Sequence, residues 1–240
     1  MHVLRNLRPS RTLLSLVFSV VVAGLIPMSA LALVAGSGAA PSLGAAGSFA
    51  VLAGTEVTCT DSTVIGDVGV YPGVPITQTS CPVIGTIHGG DTVAAQASND
   101  FLAASDAFRA LPCDQSLATL DGQTLTPGVY CFDSAATSTG SVLTLDGPSN
   151  GLWIFKVGTL GTGALTGTNF TVVRKDGTPP ACNSVYWSVA DAVTMTDSTL
   201  TGTVLAGAAV TLTRGTFNGN AYAKTGVTTT GAALTGCALG

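Results

Sequence analysis

Val193-Thr194-Met195-Thr196 returns as Val210-Thr211-Leu212-Thr213 and again as Val227-Thr228-Thr229-Thr230, each copy 17 residues on. Between the copies, Leu200-x-Gly202, Phe217-x-Gly219 and Leu234-x-Gly236 repeat with the same offset. A fixed period with strand-like alternation predicts a solenoid, in which each repeat buries its apolar side only against its neighbours. Alternation sorts the side chains: with Val193, Met195, Val210, Leu212 and Val227 inward, Thr194, Thr196, Thr211, Thr213, Thr228 and Thr230 face outward. Coils stacked about 4.7–4.9 Å apart would set these threonines in two parallel columns.

The N-terminal part carries the same unit. Val51–Thr58 matches Val204–Thr211 at six of eight positions, and Asp61–Val68 matches Asp197–Val204 at five of eight. Thr58 and Thr60 thereby fall at the positions of Thr211 and Thr213. Two ends built alike, some 130 residues apart, argue for one domain. Between them, Pro72-Gly73, Pro75 and Pro82 break the pattern over 71–90 and predict an irregular excursion. Asp91 reads as an N-cap, and Ala94, Ala97, Phe101, Ala104, Phe108 and Leu111 form one helical stripe over 91–111, ended by Pro112. That helix is too small-faced to make its own core and belongs along a solenoid flank, where it would cover apolar surface. Trp187 follows Trp153 by 34 residues, two periods, so both indoles are expected to stack at one corner.

Export follows from residues 1–32: Arg5, Arg8 and Arg11 precede an apolar run over 13–25, and Ala30-Leu31-Ala32 offers a cleavage site. The apolar run is shorter than the ~20 residues a spanning helix needs. Residues 33–42 read as a flexible leader, and the domain as 43–240. Without the signal, six Lys/Arg remain against 13 Asp/Glu, which excludes a nucleic-acid partner. Six cysteines in an exported chain predict disulfides, and adjacency puts forward Cys59–Cys81, Cys113–Cys131 and Cys182–Cys237.

Catalytic chemistry finds little to use. His88 is the single histidine after the signal, so neither a two-histidine metal site nor a GxSxG-type triad can be assembled. Solenoid polysaccharide lyases and hydrolases need clustered carboxylates, whereas Asp67, Asp146, Asp191 and Asp197 are scattered at turns and strand ends. No cofactor, no metal and no enzyme activity are expected.

The chain resembles a widespread family of exported microbial ice-binding (antifreeze) proteins. The likeness is carried by Leu43-Gly44-x-Ala46-Gly47-x-Phe49-Ala50-Val51-Leu52-Ala53, Gly66-Asp67-Val68-Gly69-Val70, the helix, Leu125-Thr126-Pro127-Gly128-Val129-Tyr130, Trp153-Ile154-Phe155 and Gly219-Asn220-x-Tyr222-Ala223-Lys224-Thr225. The resemblance implies a mainly β fold: a discontinuous, right-handed-type β-solenoid of triangular cross-section with one long helix alongside. It also implies adsorption to an ice surface through a flat face, in some members bearing Thr-Ala/Gly-x-Thr/Asn, which Thr225-Gly226-Val227-Thr228 matches. The expected ice-binding residues are Thr58, Thr60, Thr194, Thr196, Thr211, Thr213, Thr225, Thr228 and Thr230, in a secreted or periplasmic monomer. A cell-surface adhesive solenoid is the competing expectation. It would bind glycan or protein through patches such as Tyr71, Tyr222, Lys224 or Arg214.

Overall fold

In the computed structural model, which describes residues 39–239, each full coil is three short strand segments joined at tight corners. The expected signal segment lies outside the described residues, as does the leader before residue 39. Of the leader's last residues, Ala40 packs with Leu43 against the helix-side cluster of buried side chains. The first coil is Phe49–Ala53, Val57–Thr60 and Thr63–Ile65, and the second is Asp67–Val70, Ile76–Thr79 and Val83–Ile84. All strand pairs among the described residues are parallel, as stacked solenoid coils require.

The coils do not stack in chain order. Val51 of the first coil pairs with Val68 of the second on one side and with Ala221 of the last on the other. The first coil therefore sits between the second coil and the C-terminal coil. This arrangement explains the six-of-eight match: adjacent coils need the same cross-section, and Val57 lands on Val227 in register. The helix Thr92–Ala110 then carries the chain back along the stack, and the later coils wind towards the first one.

Helix and solenoid share a cluster of buried apolar side chains. Asp91 caps the helix by accepting from the Ala94 amide at 2.8 Å, and Ala94, Ala97, Phe101, Ala104 and Phe108 are buried. Phe108 stacks on Tyr186 at 4.8 Å, and Phe101 meets Tyr222 edge-on at 5.7 Å. Lys156 is buried at the far end, where its Nζ donates to the Leu111 carbonyl, and burial lowers its pKa. One of the three sides of the solenoid is thus covered by the helix.

Two expectations are corrected. The stretch 71–90 is no irregular excursion but the terminal coil, with strands Ile76–Thr79, Val83–Ile84 and Ile87–Gly89. Its prolines lie outside those strands, at the bends between them, where a missing amide costs no ladder bond. The Trp153–Trp187 stack does not form, because strands 153–157 and 185–189 pair Trp153 with Val185 and Phe155 with Trp187. The loops between these coils lengthen the local repeat away from 34, so Phe155 takes the place against Trp187, with ring centroids 4.3 Å apart.

Disulfides join Cys59–Cys81, Cys113–Cys131 and Cys182–Cys237, the pairs that adjacency put forward. The last closes the longest span, 55 residues, and ties the turn before strand 185–189 to the end of the chain. Loop-closure entropy assigns it about 4 kcal/mol. Replacing both Cys182 and Cys237 with Ala is expected to lower the melting temperature by roughly 8–16 °C. Calorimetry checks this, and a shift under about 3 °C would contradict it.

Candidate functional site

Backbone pairing brings seven strand segments side by side on one uncovered side of the solenoid. In spatial order they start at Ile76, Val57, Val227, Val210, Val193, Leu165 and Ala136. The next residue outward is threonine in all seven: Thr77, Thr58, Thr228, Thr211, Thr194, Thr166 and Thr137. Two residues further on it is threonine again: Thr79, Thr60, Thr230, Thr213, Thr196, Thr168 and Thr139. Each threonine is paired in register with the corresponding one in the neighbouring segment. Six steps of ~4.8 Å give columns about 29 Å long, set about 7 Å apart.

Eight of the nine expected threonines lie in these columns. Thr225 does not: it sits at the corner before strand Val227–Thr235, where its carbonyl accepts from the Gly54 and Thr55 amides. Six column members, Thr77, Thr79, Thr137, Thr139, Thr166 and Thr168, escaped the sequence reading. Successive segments there are offset by 19, 28 and 29 residues instead of 17, so a fixed-period search passes over them.

A second signal could have found them. The residue following the second threonine is Ser80, Asp61, Gly231, Arg214, Asp197, Asn169 or Gly140, and every one has φ between +48° and +64°. This left-handed corner turns the chain onto the next side of the solenoid, and Gly, Asn and Asp reach it most cheaply. Thr-x-Thr followed by such a residue therefore marks the rank whatever the loop length. Arg214 occupies the corner at more strain, and its guanidinium makes two hydrogen bonds to the Asp197 carboxylate at 2.6 and 2.7 Å. After two of these corners a buried serine fastens the turn: Ser62 and Ser198 donate to the carbonyls of Thr60 and Thr196.

Beneath the columns the layer is mainly apolar. Met195 and Leu212 are buried between their flanking threonines, as are Cys59 and Thr229, whose hydroxyl donates to the Cys59 sulfur. Ser138 is buried at one end, where its hydroxyl donates to Asp121 at 2.6 Å. That contact, with Ser141, holds the Asp121 carboxyl below the usual carboxylate range. The residues preceding the strands stack as Pro75, Glu56, Gly226, Ala209, Ala192 and Ala164. Small or apolar residues border the columns there except at Glu56, whose stem lies beside Gly226. No column position carries a charge.

The residues weighed for other roles are dispersed. Asp67 accepts from the Thr86 amide, Asp146 from Lys175, Asp191 from the Gly163 amide and Asp197 from Arg214, four separate structural contacts. His88 pairs with the helix cap Asp91 at 2.7 Å. Among the described residues no group of three His, Cys, Asp or Glu is placed to hold a metal ion. The adhesive patch needs correction at Tyr222, which is fully buried and donates its hydroxyl to the carbonyls of Ala46 and Phe49. Its ring belongs to the helix-side cluster, so it presents nothing to a partner.

Comparison with known proteins agrees with this geometry. A family model described as ice-binding-like matches residues 51–235. An ice-binding protein of Nostoc sp. (strain HG1) is 39% identical over 171 residues, spanning 68% of this chain and 61% of that protein. Ice-binding protein K3-B1 of Typhula ishikariensis is 33% identical over 215 residues, covering 77% of this chain and 86% of its own. The crystal structure of an ice-binding protein from Antarctomyces psychrotrophicus superposes with a TM-score of 0.74 at 33% identity, covering 82% of this chain and 98% of that one. With a helix-flanked parallel solenoid and a family match over most of its length, the chain belongs to the ice-binding-like family.

Proposed function

We propose that this chain adsorbs to ice through the paired threonine columns and thereby inhibits ice growth and recrystallisation. The observation that carries the reading is the register: fourteen threonines repeat on a rigid backbone with no charged position among them. Each presents a methyl group, which water can only cage, and a hydroxyl, which can both donate and accept. A charged group would orient water around itself, so its absence suits a surface that must match ordered water.

Rigidity matters as much as chemistry. The backbone ladders and buried middle residues fix the side chains before contact, so little ordering entropy is lost on binding. Each rank adds a small gain, and many ranks engaged together make detachment rare. Pinned molecules then hold back the growing crystal front. The chain acts without a cofactor or a catalytic step, as an exported monomer whose domain spans 43–240. Its disulfides suit an oxidising compartment.

Ice-affinity partitioning and a recrystallisation assay test the reading. The protein should enrich in the ice fraction, and a glycan array on the same preparation should stay blank. The reverse pattern would favour the adhesive reading.

Acid dependence separates face from fold. Threonine does not titrate, so activity should be equal at pH 5 and pH 8. The Asp91 carboxyl is held below its ordinary value by the Ala94 amide and His88, Asp121 by Ser138 and Ser141, and Asp197 by Arg214. Groups with depressed folded pKa values stabilise fully above the unfolded value of about 3.9 and lose that contribution as pH falls through the folded value. Melting temperature should hold down to about pH 5 and fall below about pH 4. A drop in ice activity between pH 8 and pH 5 without unfolding would contradict the threonine face.

A further inference from the structure

The strands Val193–Thr201, Val210–Asn218 and Val227–Thr235 do not stop at the left-handed corner; each runs on across the next side of the solenoid. There the outward residues again stack in register. One column is Thr63, Ala233, Thr216, Thr199, Thr171 and Val142. Thr199, Thr216 and Ala233 are exposed at its centre. Beside it a parallel column includes Thr235 paired with Asn218 and Thr144 paired with Val173. The helix covers the side built on the strands 49–53, 185–189 and 221–223, and leaves this one bare.

We propose that this adjoining side is a second ice-contacting face, an inference that rests on the ice-adsorbing reading of the first. It shares with the first face the three features on which that reading stands. The backbone is held by the same parallel ladders, the outward positions of these columns are uncharged, and threonine dominates the central column. The ladders are continuous with those of the first face, because the central strands belong to both. The two sides are separate planes, since the corner between them carries Asp61 and the Asp197–Arg214 ion pair, whose charges keep water in their own orientation. Its chemistry is also less regular, with Val142, Ala233 and Asn218 replacing threonine. The second face therefore binds more weakly and selects a different set of crystal planes from the first.

The test compares Thr216→Tyr and Thr211→Tyr, singly and together, with Thr199→Tyr as an independent probe of the second face. Fluorescently labelled proteins are grown into single ice hemispheres to display the planes bound, and recrystallisation endpoints are measured alongside. The expected result is that Thr216→Tyr and Thr199→Tyr each remove some planes and weaken the endpoint roughly two- to five-fold. Thr211→Tyr should leave a remnant pattern that the double variant loses. If the second-face variants match the parent protein in planes and endpoint while Thr211→Tyr removes all binding, the first face alone acts and the proposal is overturned. If Thr211→Tyr changes nothing while Thr216→Tyr abolishes binding, the reading of the first face fails and the second stands. If the double variant still binds as the parent does, both fail.

Discussion

Replacing Thr211 or Thr228 with Tyr should cut recrystallisation inhibition by an order of magnitude or more while leaving the protein folded. Both residues sit in the middle of the first column, with ranks on either side. A phenol there projects several ångströms beyond the neighbouring methyl groups and props the whole face away from a flat lattice. Since many ranks must engage together, loss of simultaneous contact reduces binding far more than removing one hydroxyl would. Stability should change by no more than about 0.5 kcal/mol, because an outward substitution neither opens a cavity nor buries a polar group. Recrystallisation endpoints and thermal melts on the same samples decide it. If both variants fold and retain full inhibition, the threonine columns are not the contact surface.

The same substitution at Thr137, in the terminal rank, should do less harm. Only one neighbouring segment lies beside it, so a protruding ring there tilts the face about its end and spares the remaining ranks. A graded loss from end to centre would distinguish a cooperative surface from a single binding spot.

How much of this was legible from sequence depended on whether the repeat kept its period. Thr194, Thr211 and Thr228 share a strict 17-residue offset, so alternation alone assigned them a side and a register. Thr58 could be placed because its coil preserves the same residues as the C-terminal coil it stacks against. Thr166 and Thr137 could not, since the loops of variable length in their coils change the offset while leaving the cross-section unchanged. The helix was readable from its stripe of Ala and Phe, but the tyrosines it covers were not. Tyr222 looks from sequence like an exposed aromatic on an outward strand position. Only the helix, some 120 residues earlier in the chain, makes that side of the sheet an interior. Likewise the prolines at 72, 75 and 82 signalled a broken pattern, yet at corners proline is compatible with a regular coil.

Trp187→Ala should show the opposite behaviour to the face variants: a large loss of stability with ice activity preserved wherever the protein remains folded. The indole is fully buried, lies against Phe155 at 4.3 Å and meets the edge of Phe170 at 6.4 Å. Its Nε1 donates to the Thr201 carbonyl at 3.0 Å, in the strand that carries Thr194 and Thr196. Truncation opens a cavity between stacked coils, which can close only if the backbone ladders move, and it removes the donor to a buried carbonyl. Large aromatic-to-alanine changes in such sites cost about 3–5 kcal/mol. For a domain of this size that corresponds to a melting temperature lowered by roughly 6–20 °C. Recrystallisation assays run near the freezing point, far below the melt, where the variant should still present its columns in register and inhibit within about two-fold of the parent. A melting temperature unchanged within about 3 °C would show that the coils repack around the gap. Lost activity in a fully folded Trp187→Ala protein would show instead that the face depends on the core beneath it for more than its stability.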